Sequence, residues 1–501
     1  MQRKYGLILG YIGFFVSNIT SFILTPLMIY AWGAGDFGVY KLIFSITAYF
    51  MLLDLGVGNS IVRFIAEYRS KYDKENEKKF VGSIMIFYGA VSIITISIGI
   101  VIPQFFGGIF KSLTPQEIEL AKMLFTITII NAAVNLFFNS FNAIIKAYEA
   151  YIFLNVNNLV KNMVRICLLY YLLKKGSSVY TVVFTDLIIN LIFSIINAGY
   201  VFIKLKVFPK FKGITLAFIQ NIYGYSFFVF IEMIAYQMFW SVDSIVLGIV
   251  TSSTIIGVYS IGTLITSQFE AISVVIQNMT MSRIVQMVTT DTSKDAIFSE
   301  IVKVARIKLF IICLPAIGFI FLGKKFLYLW LGEGFVSAYY VAIIVLIPQV
   351  IVRIQDAISN VMWAKNKQKE KALISIVVAG MNVVITVILV GKMGMFGAAI
   401  GTSFAFVTGY LICEGLYVHK KLNINMINLY KEIYKGPFKA LLLISILSWL
   451  ISVYAALSWL IFIIQIISIV LVYVAVMWGI GLKKEEKEMI RSLFLRVNKK
   501  V

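Results

Sequence analysis

The chain is written in long apolar runs separated by short polar stretches. A run of about 20 apolar residues is enough to cross some 30 Å of hydrocarbon as a helix, and such runs recur from one end of the sequence to the other. Hydropathy predicts fourteen spans, at residues 6–31, 37–66, 80–102, 120–145, 153–173, 180–203, 223–248, 254–280, 304–323, 338–361, 372–391, 396–418, 440–455 and 460–480. Between the first two stands "AGDFGVYKLI" (34–43), and its core returns as "TIIGVYSIGT" (254–263) between the seventh and eighth.

Aligned without gaps at an offset of 219, the two copies match at Gly38/Gly257, Val39/Val258, Tyr40/Tyr259, Ile46/Ile265, Thr47/Thr266, Phe50/Phe269 and Asn59/Asn278. Each follows a short polar turn, "GAGD" or "TSST", whose Asp36 or Ser/Thr side chains suit a helix N-cap. Gly38 and Gly257 suit close helix packing. Six spans separate the copies, an even number, so both enter the membrane from the same side. This predicts a parallel repeat with a substrate site where the halves meet. The expected architecture is an all-α polytopic membrane protein of about fourteen transmembrane helices, with two pseudo-symmetric six-helix lobes around a central cavity. Residues 1–212 form the N-terminal lobe, 213–437 the C-terminal lobe, and 438–501 two accessory helices with a basic tail.

Composition agrees: 60% of residues are hydrophobic, mean hydropathy is +0.91, and 14% are charged, against about 25% charged in soluble proteins. The net charge of +21 raises the question of a nucleic-acid partner, and its distribution answers it. With the N-terminus inside, the inner segments carry 31 Lys/Arg and the outer ones six. That bias is topological. It predicts a multi-pass plasma-membrane (inner-membrane) protein with both termini cytoplasmic, the lipid bilayer as its surroundings, and no nucleic-acid partner. The opening "MQRKYGLILGYIGFF" reads as an uncleaved first span. Cys167, Cys313 and Cys413 lie in apolar spans without paired spacing, so no disulfide or metal site is expected.

Membrane helices keep polar residues where these face protein or water, and here they form stripes. The fourth span carries Asn131, Asn135, Asn139, Asn142 and Lys146; the fifth Asn155, Asn158, Asn162 and Arg165, with Lys161 at the edge; the sixth Asp186, Asn190, Ser194 and Asn197. The seventh carries Tyr225, Glu232, Tyr236, Trp240 and Asp243; the eighth Thr263, Thr266, Ser267, Glu270 and Gln277; the tenth Gln349, Arg353, Asp356 and Asn360. One such stripe serves as interhelical glue; six of them, rich in charge, predict a wet cavity. Lys161 and Arg165 make a positive point that Lys41 and Arg63 can join, with Asp186 as an acidic neighbour. Arg353 and Asp356 are spaced to neutralise each other. Cations in such a cavity suit an anion, and arginine suits phosphate. The aromatics Tyr236 and Trp240 suit either ligand stacking or packing. Asp186, Glu232, Asp243, Glu270 and Asp356 are candidates for ion coupling or charge balance.

No catalytic constellation appears. His419 stands alone at a helix end, no nucleophile motif or P-loop is present, and the longest outer connection, 103–119, is too short to house a reaction. The expectation is a transporter, with neither catalytic residues nor a cofactor.

The segments "LDLGVGNSIVRFIAEYRS" (53–70), "GDFGVY" (35–40) and "GMFGAAIGTSFAF" (394–406) resemble the polysaccharide flippases of the multidrug/oligosaccharidyl-lipid/polysaccharide exporter superfamily. The resemblance extends over essentially the whole chain. It implies a V-shaped pair of lobes that carries an undecaprenyl-pyrophosphate-linked oligosaccharide repeat unit to the outer leaflet for O-antigen or capsule assembly. A polysaccharide polymerase and a chain-length regulator are the further partners it implies, and Arg63, Lys161, Arg165 and Arg353 match the cationic lumen. Lipid II flippases of the superfamily carry arginines in the first and eighth spans. Here Asn18, Ser21 and Thr25 stand in the first and Glu270 in the eighth, which argues against a peptidoglycan precursor. The competing readings are a cation-coupled exporter of small molecules and, from another class, a polymerase joining the repeat units.

Overall fold

The computed structural model describes residues 2–212, 216–290, 292–454 and 457–498, and all regular structure among them is helical. The principal helices are α1 (Gln2–Ala48), α2 (Val57–Ser70), α3 (Lys74–Val101), α4 (Pro115–Ala147), α5 (Tyr151–Lys174) and α6 (Val179–Gly199). Then follow α7 (Leu216–Val250), α8 (Ser253–Thr289), α9 (Lys294–Leu331), α10 (Ala338–Gln355), α11 (Ala357–Ala364) and α12 (Gln368–Met393). The last six are α13 (Met395–Ala405), α14 (Gly415–Lys421), α15 (Met426–Tyr434), α16 (Pro437–Val453), α17 (Trp459–Val476) and α18 (Lys484–Asn498).

The predicted apolar runs fall largely on helix. Among the described residues twelve helices are long and apolar enough to cross a membrane, or thirteen if α15 and α16, bent by 52°, form one span. The thirteenth predicted span lies on α16 of that bent pair, and the remaining difference from fourteen lies at the start. At 1.5 Å per residue, the 47-residue α1 is about 70 Å long, more than twice the hydrocarbon thickness. Gly33, at φ +79°, interrupts it in a conformation that favours glycine, so α1 holds the first predicted span and the opening part of the second, residues 37–48. The second span is broken again. A 3₁₀ turn over Tyr49–Asp54 ends in Leu55 (φ +52°) and Gly56 (φ +74°) before α2 begins. Helix starts follow local chemistry: Thr114 and Glu117 close a capping box ahead of α4, and Asp73 caps α3 through the Asn76 amide.

The chain packs as two compact units: Met1–Ser260 with Ser375–Gly401, and Ile261–Ile374 with Thr402–Val501. The helix α7, placed by sequence in the second lobe, packs in the first unit against α1 and α2. One reason is close contact: a Cβ on Gly248 of α7 would sit 2.8 Å from a methyl of Leu42.

Within the first unit the repeated phrase packs on itself. A Cβ at Gly38 would lie 1.8 Å from the carbonyl oxygen of Ser253, and one at Gly257 would lie 2.6 Å from that of Ala34. Ala34 and Ser253 are themselves 219 positions apart. The contact therefore reads the same from either helix. Below it, Ile61, Ile65, Phe80, Tyr88, Phe141 and Val201 form the apolar core.

The second unit has its own core, including Ile301, Leu309, Ile358, Val361, Leu429 and Tyr473. Beside it lies Arg306, 1% exposed. Its guanidinium donates to both Glu486 carboxylate oxygens and to the carbonyls of Glu432, Ile433, Lys435 and Gly481. Five sites spread over the last 70 residues thus converge on one side chain of α9.

Candidate functional site

The stripes of α4, α5 and α6 meet inside the first unit. Arg165 donates to Asp186 in a two-pronged pair, Nε to Oδ1 at 2.6 Å and Nη2 to Oδ2 at 2.8 Å. One turn away the Lys161 ammonium donates to Asn190 Oδ1 at 2.5 Å, and Asn190 passes its amide on to Asn131 at 2.6 Å. A further tier runs from Asn157 to Asn197 (2.7 Å) and from Asn197 to Asn142 (2.8 Å). Amide ladders of this kind suit apolar surroundings because each member is both donor and acceptor. On the α1 side, Asn155 donates to the Gly6 carbonyl and Asn162 to Ser17 Oγ, at 2.8 and 2.7 Å.

Lys41 of α1 completes the cluster. Its ammonium stands 5.3 Å from the centre of the Phe37 ring and 5.8 Å from that of Tyr40, within cation–π range. Both Lys41 and Lys161 feel the charge of Arg165. Arg165 pairs with Asp186, Lys161 lies in the field of both, and Lys41 in that of Arg165, so three cations stand with one carboxylate for a local charge of +2. Such an arrangement can hold an oxyanion in three ways: Arg165 through its remaining N–H groups, Lys161 and Lys41 as point charges.

Other predicted residues lie elsewhere. Arg63 sits beyond the Leu55–Gly56 break on α2, exposed, 5.9 Å from the Phe64 ring. Asn158 is exposed on α5, and Asn135 donates to Asn131 at a long 3.5 Å. On α7, Tyr236 is 54% exposed with its ring 6.4 Å from Trp240, and Glu232 is half-buried. Asp243 is buried and accepts the hydroxyls of Tyr259 and Thr386. The side chains of Tyr225 and Asn59 lie outside the described residues.

In the second unit, Arg353 bonds Glu270 at 2.7 Å and Asp356 at 3.1 Å. It is therefore shared by two carboxylates, one more than the i, i+3 spacing with Asp356 suggests. Asp356 itself occupies the break between α10 and α11. Nearby, Gln277 donates to Asn360 Oδ1 at 3.4 Å and Asn360 donates to the Gln277 carbonyl at 3.3 Å.

Besides Arg306, two charged residues near these clusters went unread in the sequence. Asp54, at the end of the 3₁₀ turn, accepts Tyr88 Oη at 2.6 Å and Asn139 Nδ2 at 2.9 Å; its signal was a carboxylate next to Gly-x-Gly within an apolar run. Lys308 is wholly buried on α9 and faces the field of Asp356 and Arg353; its signal was a lysine inside a predicted span with no stripe to explain it. Among the described residues no group of three His, Cys, Asp or Glu is placed to hold a metal ion.

Spanning helices that turn their charged and amide side chains toward one another define a polytopic membrane protein with a polar interior, an architecture of transport proteins. Within that class, the polysaccharide biosynthesis protein family matches residues 6–284, more than half of the chain, and the chain belongs to that family. The fold is that of the superfamily named in the sequence comparison. The lipid II flippase MurJ, in an inward closed conformation, superposes with a TM-score of 0.74 at 18% identity, over 94% of this chain and 98% of that one. An inward-facing multidrug resistance transporter of the MATE family gives 0.65 at 18% identity, covering 78% and 93% of the two chains. A transporter of the same superfamily from Pyrococcus furiosus, described as having a binding pocket of reversed polarity, gives 0.57 at 18%, covering 81% and 92%. No curated protein matches the chain.

Proposed function

We propose that the protein is a flippase that moves undecaprenyl-pyrophosphate-linked oligosaccharide repeat units from the inner to the outer leaflet of the plasma membrane, for assembly of a surface polysaccharide. It does so without chemical transformation of the lipid, and both its termini face the cytoplasm. The observation that carries the reading is the Lys41–Lys161–Arg165 cluster, with its excess of two positive charges, inside a member of the polysaccharide biosynthesis family. A pyrophosphate brings roughly the charge the cluster lacks. The amide ladder of α4, α5 and α6 beside it offers paired donors and acceptors of the kind that sugar hydroxyls need. Glu270, on the span where lipid II flippases carry arginine, is committed to Arg353 and supports a substrate other than the peptidoglycan precursor.

Charge-assisted hydrogen bonds to phosphate contribute about 1.5–3 kcal/mol each, one to two decades in affinity. Neutralising Lys161 or Arg165 is expected to cripple transport while the protein still reaches the membrane. Arg165→Lys retains part of the activity and Arg165→Ala little of it. The measurement is complementation of a flippase-null strain at native expression. Full complementation by Lys161→Ala/Arg165→Ala places the pyrophosphate elsewhere.

A further inference from the structure

We propose that Lys308 carries the proton of a coupled cycle, so that outward movement of the lipid-linked anion is exchanged for inward movement of H⁺ through the interior of the second unit. The inference rests on the flippase reading and adds its energy source. Lys308 is 0% exposed, and its ammonium has no protein hydrogen-bond partner among the described residues. Opposite it, Arg353 leaves its Nε without a partner although both Nη groups are engaged. One turn back along α10, Gln349 is 0% exposed with both amide atoms unpartnered. Three side chains on two facing helices therefore offer donors and an acceptor to something other than protein. Buried polar atoms so placed are satisfied by internal water, and ionisable groups joined by water inside a membrane are the parts of a proton relay.

Charge decides which member titrates. Arg353 keeps its proton under all conditions, and it holds both Glu270 and Asp356. These three sum to −1, and a protonated Lys308 brings the group to zero. Lysine is the base here that can release its proton and recover it. In the exchange, Lys308–NH₃⁺ gives H⁺ to an internal water and becomes –NH₂, then takes H⁺ from the opposite side; no other bond is made or broken. The surrounding titratable groups are otherwise engaged or one turn or more away. Arg306, two residues earlier, is held by Glu486; Tyr430 bonds Gln355; Glu414 accepts from Ser359; Tyr473 donates to the Phe310 carbonyl. Arg283 pairs with Glu300, while Cys313 and Tyr434 lie in the adjoining apolar core.

The test uses the full-length protein in liposomes, with a fluorescent undecaprenyl-pyrophosphate-linked oligosaccharide as probe and its leaflet read by dithionite quenching. Flipping is driven either by a pH step with the potential clamped, or by a potential at equal pH. The pH step is expected to speed wild-type flipping about tenfold. Lys308→Met and Lys308→Arg lose that response, and Gln349→Leu weakens it several-fold. If Lys308→Met does not fold, Lys308→Arg, which keeps the charge but cannot shed it, decides. A wild-type pH response in Lys308→Arg overturns the proposal, since the residue then serves as a fixed charge. Wild-type flipping that follows the potential but ignores the pH step overturns it while leaving the flippase reading intact. A probe that flips under neither drive sinks the flippase reading itself, and the proton exchange with it.

Discussion

The self-contact of the repeated phrase makes a quantitative prediction. Replacing Gly38 by alanine sets a methyl 1.8 Å from the Ser253 carbonyl oxygen, where ordinary contact begins near 3.4 Å, so α1 and α8 must part by about 1.6 Å. At Gly257 the corresponding distance is 2.6 Å, and about 0.8 Å suffices. Overpacking of this kind costs about 1–3 kcal/mol. Against it stands the helix-propensity gain of alanine over glycine, about 1 kcal/mol. For Gly38→Ala the clash is large and its partner is backbone, so the cost is expected at the upper end, for a net loss of about 2 kcal/mol. For Gly257→Ala the two effects come close to cancelling. Gly38→Leu, with no propensity advantage over alanine and more bulk, loses more than either. The assay is unfolding of the purified protein in mixed micelles of mild detergent and SDS, followed by tryptophan fluorescence. Equal stability of Gly38→Ala and wild type, or a larger loss at Gly257 than at Gly38, would refute the backbone crossing as described.

Two further outcomes follow from other parts of the molecule. In a background with Cys167, Cys313 and Cys413 replaced, single cysteines at Ser70 and Lys111 are expected to label oppositely with an impermeant thiol reagent; labelling of Ser70→Cys from outside intact cells reverses the topology. Arg306→Met removes a wholly buried guanidinium from its carboxylate partner, which typically costs 3–5 kcal/mol. Arg306→Met/Glu486→Leu should recover part of that loss in the same unfolding assay, and a double variant no more stable than the single one shows that the carbonyl contacts dominate.

Much of the fold was legible because spanning a bilayer is a demand on length and hydropathy, both of which are local. That demand located the helices. Sequence order did not reveal that α7 packs with the helices before it, because that depends on close contacts such as Gly248 on Leu42. The polar stripes brought Arg165, Asp186, Lys161 and Asn190 into consideration, yet their pairing required the crossing of α5 and α6. Arg353 shows the limit of spacing arguments: i, i+3 geometry pointed to Asp356, and Glu270 came from a different helix. Lys308 and Arg306 escaped for the opposite reason. Two residues apart on one helix, they face different neighbours and form no stripe, and their surroundings are apolar on either side.

The knot at Arg306 also sets a timetable for biogenesis. Its partners lie 126 to 180 residues further along the chain. At a synthesis rate of 5–20 residues per second, roughly 9–36 s pass before Glu486 is made. Through that interval the guanidinium has none of the groups that later enclose it, and the economical place for its charge is the headgroup region at the end of its helix. The ninth apolar run can then settle fully only when the last two have arrived, which makes completion of the C-terminus the step that commits the second unit to its final packing.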